Sequence, residues 1–225
     1  MKKTRLMLLL LMAVVVIAVG GFIIYFNYGK PWEYFTYKDQ FETTLEEKYD
    51  RDFVIKKTRY DMNHGSTYYA YAYEKNHKDI EFYIGQNPRT NKIEDSFHSA
   101  TWRYQARQEL NSVIEEIYPD RQNYSVETIL EQDPSVTEDG TIFNYKDVTS
   151  VEAGISMRET KITDHNKDKE LQRVFQLLES IREKGVTFHS FGISFENKTM
   201  QLETNEIESV QDYNDLDINL VNYRK

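Results

Sequence analysis

The chain has 225 residues, no cysteine, 37 acidic against 28 basic residues and a formal charge of −9. Without cysteine there is no disulfide framework, thiolate zinc site, cysteine nucleophile or thioether lipid anchor. Residues 1–30 hold Lys2, Lys3, Arg5 and Lys30 and no acid, which leaves 24 basic against 37 acidic residues, or −13, in the remainder; such a charge does not suit nucleic acid or an anionic membrane surface.

In chain order, residues 1–5 are a basic flank and Leu6–Phe26 is an unbroken apolar run of 21 residues. As a helix rising ~1.5 Å per residue the run is about 31 Å long, close to the ~30 Å hydrocarbon core of a bilayer. Ala18-Val19-Gly20 has the small residues of a signal cleavage site, yet Phe22 to Phe26 extend the run beyond it. Length and flanks therefore predict an uncleaved transmembrane anchor over 6–26. Tyr25, Tyr28 and Trp32 suit an interfacial aromatic belt on the far side. The basic flank puts residues 1–5 in the cytoplasm, by the preference of Lys and Arg for that side. The expected localisation is thus a single pass through the cell membrane with the C-terminal domain outside.

Residues 27–36 form a short juxtamembrane segment with no Pro/Gly/Ser stalk, and 37–225 are read as one extracytoplasmic domain. Phe41, Leu45 and Tyr49 recur every four residues and predict a helix over Tyr37–Tyr49. Asp52–Asp61 reads as a strand, Asn63–Ser66 as a turn, and TYYAYAYE as a second strand. Asn76–Asp79 turns into a third strand, with Ile80, Phe82 and Ile84 on one face. Pro88–Asp95 reads as a polar loop. Ser96 or Asp95 caps a helix over Phe97–Tyr118 that stops at Pro119.

Weaker strand signals follow at Tyr124–Glu131, Thr141–Tyr145 and Thr149–Thr160, with turns at Asp133-Pro134 and Asp139-Gly140. Leu171, Val174, Phe175, Leu178 and Ile181 share one face of a helix over Asp168–Lys184, and Gly185 stands where a left-handed terminator belongs. Val186–Glu196 and Thr199–Thr204 read as a hairpin turned by Asn197-Lys198. The tail, 205–225, is open between a short helix and a loop. The order predicts an α+β fold: an N-terminal transmembrane helix, then an antiparallel sheet packed by helices on one face.

Strand alternation puts Tyr69, Tyr71 and Tyr73 on one face and Tyr68, Ala70 and Ala72 on the other. Alanines let a helix approach closely, so their face is the expected covered side. Tyr69, Tyr71 and Tyr73 then form an open ladder and are the candidate partner-binding residues, since tyrosine is enriched at interface hot spots. The other reading makes them ordinary sheet wall.

Catalytic and metal motifs are absent from the sequence. Asp164-His165-Asn166-Lys167-Asp168-Lys169 imitates a calcium loop, but its sixth position is Lys169 and its twelfth Phe175. Asp212, Asp215 and Asp217 lack the glycine such a loop needs. No two-histidine helical pair, GxSxG, phosphate loop or dinucleotide fingerprint occurs. His189, in a predicted strand, reads as structural. Glu46/Glu47 and Glu115/Glu116 read as helix-surface pairs. No cofactor and no metal is expected. Asn123-Tyr124-Ser125 and Asn197-Lys198-Thr199 fit the N-glycosylation pattern.

The MKK start before a long apolar run, the Lys/Glu/Asn/Tyr-rich body without Cys, and the FETTLEEKYDRDFVIK…YYAYAYEKNHKDIEFYI unit together resemble single-pass surface proteins of low-GC Gram-positive bacteria. Some outer domains of this kind act as immunity proteins against secreted toxins. The resemblance implies a non-enzymatic, membrane-anchored domain that binds a protein, an immunity or inhibitor-like role being one form, and transfers no functional residue. An accessory or sensor subunit of a membrane complex is the alternative, followed by a cell-envelope hydrolase with no recognisable motif.

Overall fold

A computed structural model describes residues 2–120, 123–130, 140–141, 143–148 and 150–222. The chain divides into two compact units, Met1–Phe97 and His98–Lys225, where the sequence predicts one outer domain from residue 37. Each unit is α+β, a five-stranded sheet with helices.

The first unit opens with α1 (Lys2–Tyr28). This helix is long and apolar enough to cross a membrane, and none of its apolar window is buried. Gly29, at φ +69°, ends it, and α2 (Glu33–Tyr49) follows, starting one turn earlier than periodicity predicts. Phe41, Leu45 and Tyr49 are buried along α2 as expected.

The strand expected over 52–61 is two short ones, β1 (Phe53–Ile55) and β2 (Arg59–Asp61). Both pair antiparallel with β3 (Thr67–Glu74), β1 through Ala72–Glu74 and β2 through Thr67–Tyr69. A tight turn at Lys75-Asn76 leads into β4 (His77–Gln86), which starts inside the segment expected to be a turn. The polar loop before residue 96 ends in a further strand, β5 (Ile93–Asp95). Phe53, Ile55, Ala70, Ala72, Ile80, Phe82, Ile84 and Phe97 are buried on the same side of this sheet as the α2 stripe. Burying a large apolar side chain stabilises by about 1.5–3 kcal/mol, so this face carries the first unit.

Asp95, rather than Ser96, caps the next helix. Its carboxylate accepts the Phe97 amide at 3.0 Å, the Tyr49 hydroxyl at 2.7 Å and the Lys48 ammonium at 3.0 Å. Ser96 Oγ instead accepts the Tyr83 amide at 3.0 Å.

In the second unit, α3 (Phe97–Ile117) and α5 (Lys167–Glu183) share a core with the inward faces of β6 (Ser125–Leu130), β7 (Val151–Met157), β8 (Phe188–Phe195) and β9 (Lys198–Glu203). The sheet order is β10-β9-β8-β7-β6, where β10 is Val221–Asn222. The expectation of one antiparallel sheet fails twice: there are two sheets, and β7 runs parallel to β8. Parallel neighbours need a long crossover, and α5 lies within it. The predicted strand at Thr141–Tyr145 is not formed among the described residues; Tyr145 instead starts a one-turn helix, α4 (Tyr145–Val148). Asp133-Pro134 lies outside the described residues. The tail forms α6 (Thr204–Ser209), a 3-10 helix (Tyr213–Asn219) and β10.

Gly185 behaves as predicted. Its φ is +75°, its amide bonds to Arg182 O at 2.8 Å, and the Val186 amide bonds to Ile181 O at 3.3 Å. That pair of bonds is a Schellman motif, with buried Val186 and Ile181 supplying the apolar contact beside it. Gly154 contrasts with it: it sits in a strand without a left-handed φ, and an added Cβ would meet nothing within 4 Å. In urea unfolding of the whole chain in detergent, Gly185→Ala is expected to cost about 1–2 kcal/mol through the left-handed penalty. Gly154→Ala is expected to be neutral or to gain up to about 1 kcal/mol.

Candidate functional site

The tyrosine strand is polarised as its alternation requires. Ala70 and Ala72 are fully buried and Tyr68 nearly so, whereas Tyr69 and Tyr73 are half-buried and Tyr71 is 41% exposed. Tyr69, Tyr71 and Tyr73 therefore share the face opposite the α2 core. The structure brings two of them into one cluster with a third ring. Tyr69 stacks on Tyr83 at 5.7 Å between centroids, and Tyr71 meets both edge-on at 6.4 Å. Tyr73 lies two residues along the strand on the same face, outside those ring contacts, opposite Glu81.

Sequence reasoning missed Tyr83. With Ile80, Phe82 and Ile84 on the core face, Tyr83 belongs by alternation to the other. What could not be read was the pairing that sets Tyr71 opposite Tyr83 and Tyr69 opposite Gly85. Gly85 leaves the space that the Tyr83 ring fills: a Cβ there would overlap the Tyr83 hydroxyl and stand 2.9 Å from Tyr69 Cβ. Lys56 and Glu81 form an ion pair. Arg59 pairs with Tyr69 in the register. The face is thus an aromatic patch with charged neighbours. Burial raises the Tyr83 phenol above the ordinary tyrosine range, and the nearby charge of Asp61 adds to it.

The second unit carries a different feature, a polar concavity of about 420 Å³ on the sheet face away from its core. Two rows of paired residues floor it. One runs Glu127, Gly154, Gly192, Gln201; the other runs Ser125, Ser156, Ser194, Thr199. Arg158 contributes to the wall. The Ser194 and Thr199 hydroxyls lie 3.2 Å apart, and Thr199 also donates to Ile193 O at 3.3 Å. Hydroxyls engaged in this way are not set up as nucleophiles, which need a neighbouring base.

The acidic residues singled out from sequence are occupied by their own chain. Asp215 accepts the Gln211 and Asp212 amides at 2.9 Å, which holds its carboxyl below the usual range. Asp212 accepts the Asn214 amide, and Asp217 pairs with Lys167. Asn166 stands at the start of α5 without a side-chain cap bond; its amide binds Thr163 and Lys161 of the preceding turn. No group of three or more metal-ligating side chains occurs among the described residues.

Burial works to raise the Glu109 carboxyl, but hydrogen bonds from Lys146 and Tyr145, both at 2.6 Å, hold it below its ordinary value. His189 is exposed at the start of β8, contrary to the structural role expected of it. Buried His98 bonds to Thr141 O at 2.9 Å. Asn197, in one glycosylation pattern, is held by Ile162, donating to its carbonyl and accepting from its amide.

No protein-family model matches the sequence, and none of the curated proteins matches it. Among solved structures, the crystal structure of a DUF5037 family protein from Ruminococcus gnavus is similar with a TM-score of 0.41, at 18% identity over 76% of this chain and 77% of that one. A likeness at that level carries no argument about function.

Two predictions test the aromatic patch. Gly85→Ala is expected to displace the Tyr83 ring and weaken the near-ultraviolet dichroism of the tyrosines, while far-ultraviolet dichroism stays unchanged. The second concerns alkaline pH. Folding favours the neutral phenol of Tyr83, so its contribution is intact below the free-tyrosine pKa of ~10 and is lost as pH rises through the higher folded value. Tyr83→Phe is expected to make stability fall less steeply above that pH, measured by urea unfolding across the alkaline range.

Proposed function

We propose that the protein is a single-pass cell-membrane protein whose C-terminal part lies outside and binds another protein through the tyrosine face of its first sheet. The observation that carries this reading is the cluster of Tyr69, Tyr71 and Tyr83 on the sheet face opposite the α2 core, where Tyr71 and Tyr83 stay about 41% and 39% exposed. An aromatic patch beside charged groups suits recognition: tyrosine offers large contact area with little side-chain entropy to lose, and flanking charge sets orientation. The apolar length of α1 supports the anchor, and the basic residues before it support a cytoplasmic N-terminus. Binding fits better than catalysis, because Glu109, Ser194 and Thr199 are all engaged in structural bonds. An immunity or inhibitor-like role is one concrete form.

The test uses the full chain in nanodiscs, presented to the native envelope and secreted fractions. Wild type is compared with Tyr71→Ser/Tyr83→Ser and, as a control on the other sheet, Glu127→Gln. A captured protein is expected to lose about 2 kcal/mol or more of affinity, near 30-fold, with the double tyrosine variant alone. Equal capture by all three, each shown to be folded, removes the tyrosine face as the binding site.

A further inference from the structure

The fourth tyrosine of the stretch, Tyr68, points to a second surface. Its hydroxyl accepts the Lys30 amide at 2.8 Å, so it reaches from β3 to the corner between α1 and α2. Around it the Tyr37 ring stacks at 4.6 Å, Tyr60 lies at 5.1 Å, and Tyr34 packs edge-on at 5.4 Å. Tyr34 donates its hydroxyl proton to Tyr28 O at the end of α1, and Lys30 pairs with Glu33 at 2.7 Å. A Cβ at Gly29 would overlap the Tyr68 hydroxyl and stand 2.8 Å from the Tyr60 ring. The corner is filled, and it fixes the start of α2 against the end of α1.

This bracket sorts the aromatic residues of the corner. Tyr34 and Tyr37 turn inward to Tyr68. Trp32 and Phe35, three residues apart and so on one side of the helix, turn outward and are 66% and 73% exposed. Tyr28, just before them, is 65% exposed. Beyond Phe35 the exposed residues of α2 become polar at once, with Thr36, Lys38, Asp39 and Gln40. Along α2 and its N-cap, large apolar exposure is therefore confined to Trp32 at the cap and Phe35 in the first turn, and it continues the apolar surface of α1.

We infer that this corner is a lipid-facing foot: Trp32 and Phe35 enter the headgroup–acyl boundary beside α1, laying the first turn of α2 on the bilayer and holding the first unit at its surface. The inference rests on the membrane-anchored reading and adds to it a second contact made by the outer part of the chain. Trp and other amphipathic or apolar rings favour that zone. The contact is apolar rather than electrostatic: residues after 30 carry −13, which an anionic surface repels, and the corner's own lysine is paired with Glu33. Zwitterionic lipid is therefore sufficient for it.

The experiment takes the full chain in nanodiscs and reads tryptophan emission. The chain has two tryptophans, Trp32 and fully buried Trp102, so subtracting the Trp32→Phe spectrum from wild type isolates Trp32. Zwitterionic discs are made with plain lipid, with lipid brominated near the headgroup end of its acyl chains, or with lipid brominated near the methyl end. Most of the Trp32 emission is expected to be lost with the first brominated lipid and less with the second, and Phe35→Ser is expected to shift the remaining Trp32 emission toward that of water-exposed indole. Trp32 emission equal in plain and brominated discs, from chain that stays with the discs at high salt and alkaline pH, overturns the foot and leaves the anchor standing. Quenching seen only in discs of anionic lipid also overturns it. Chain released from the discs by alkaline washing overturns the anchor itself, and the foot with it.

Discussion

Ala70 and Ala72 set the terms for the first unit. Both are fully buried at the centre of β3, on the side of the sheet that shares its core with α2. Their small size lets a helix come close, and the two-residue period of a strand then sends every alternate tyrosine to the far side. A slip of one residue would bury Tyr69, Tyr71 and Tyr73 and expose both alanines, so the register is strongly specified. The aromatic patch is in this sense the other half of a packing requirement: the residues that cannot fit under α2 collect where nothing in the core confines them. Tyr68 obeys the same rule from the opposite side, joining the alanines inward and finding its partners at the α1–α2 corner.

The two units use their outer sheet faces differently. In the first, the Tyr69 and Tyr83 rings stack and the Tyr83 ring fills the space that Gly85 leaves, giving an aromatic surface. In the second, Gly154 and Gly192 lie side by side in the parallel pair and leave a hollow between Glu127 and Gln201. Asp212, Asp215 and Asp217, which look available in the sequence, are committed to local bonds around the 3-10 helix. Carboxylates satisfied by backbone amides stabilise turns and are poor proton carriers near neutral pH.

What was legible in the sequence was whatever depends on local period. The stripes of α2 and α5, the Gly185 terminator and the two faces of β3 all follow from spacing along one segment. What was missed depends on pairing between segments. Tyr83 joins the patch because of the β3–β4 register, and β1 and β2 separate because each lines a different stretch of β3. The parallel alignment of β7 with β8 left no local trace, since a strand's own pattern does not say which way its neighbour runs. The boundary at residue 97 was hidden because it falls at the first residue of a continuous helix, α3, where no linker composition marks it. Asp95 was one of two equal candidates for the cap; the choice was settled by Tyr49 and Lys48, distant residues that share its carboxylate.

The crossover through α5 bears on the order in which the molecule assembles. In the first sheet β3 and β4 are joined by a tight turn, so their pairing closes only a short loop. In the second, Met157 must wait for the chain to return at Phe188 before β7 gains its parallel neighbour. The entropy of closing that loop comes due before the contact repays it, and non-local pairing of this kind slows folding. Helix α5 shortens the effective gap once formed, and the β8–β9 hairpin is itself local. The apolar stripe from Leu171 to Ile181, which packs α5 into the core, thus also lies on the stretch of chain whose closure the parallel pair requires.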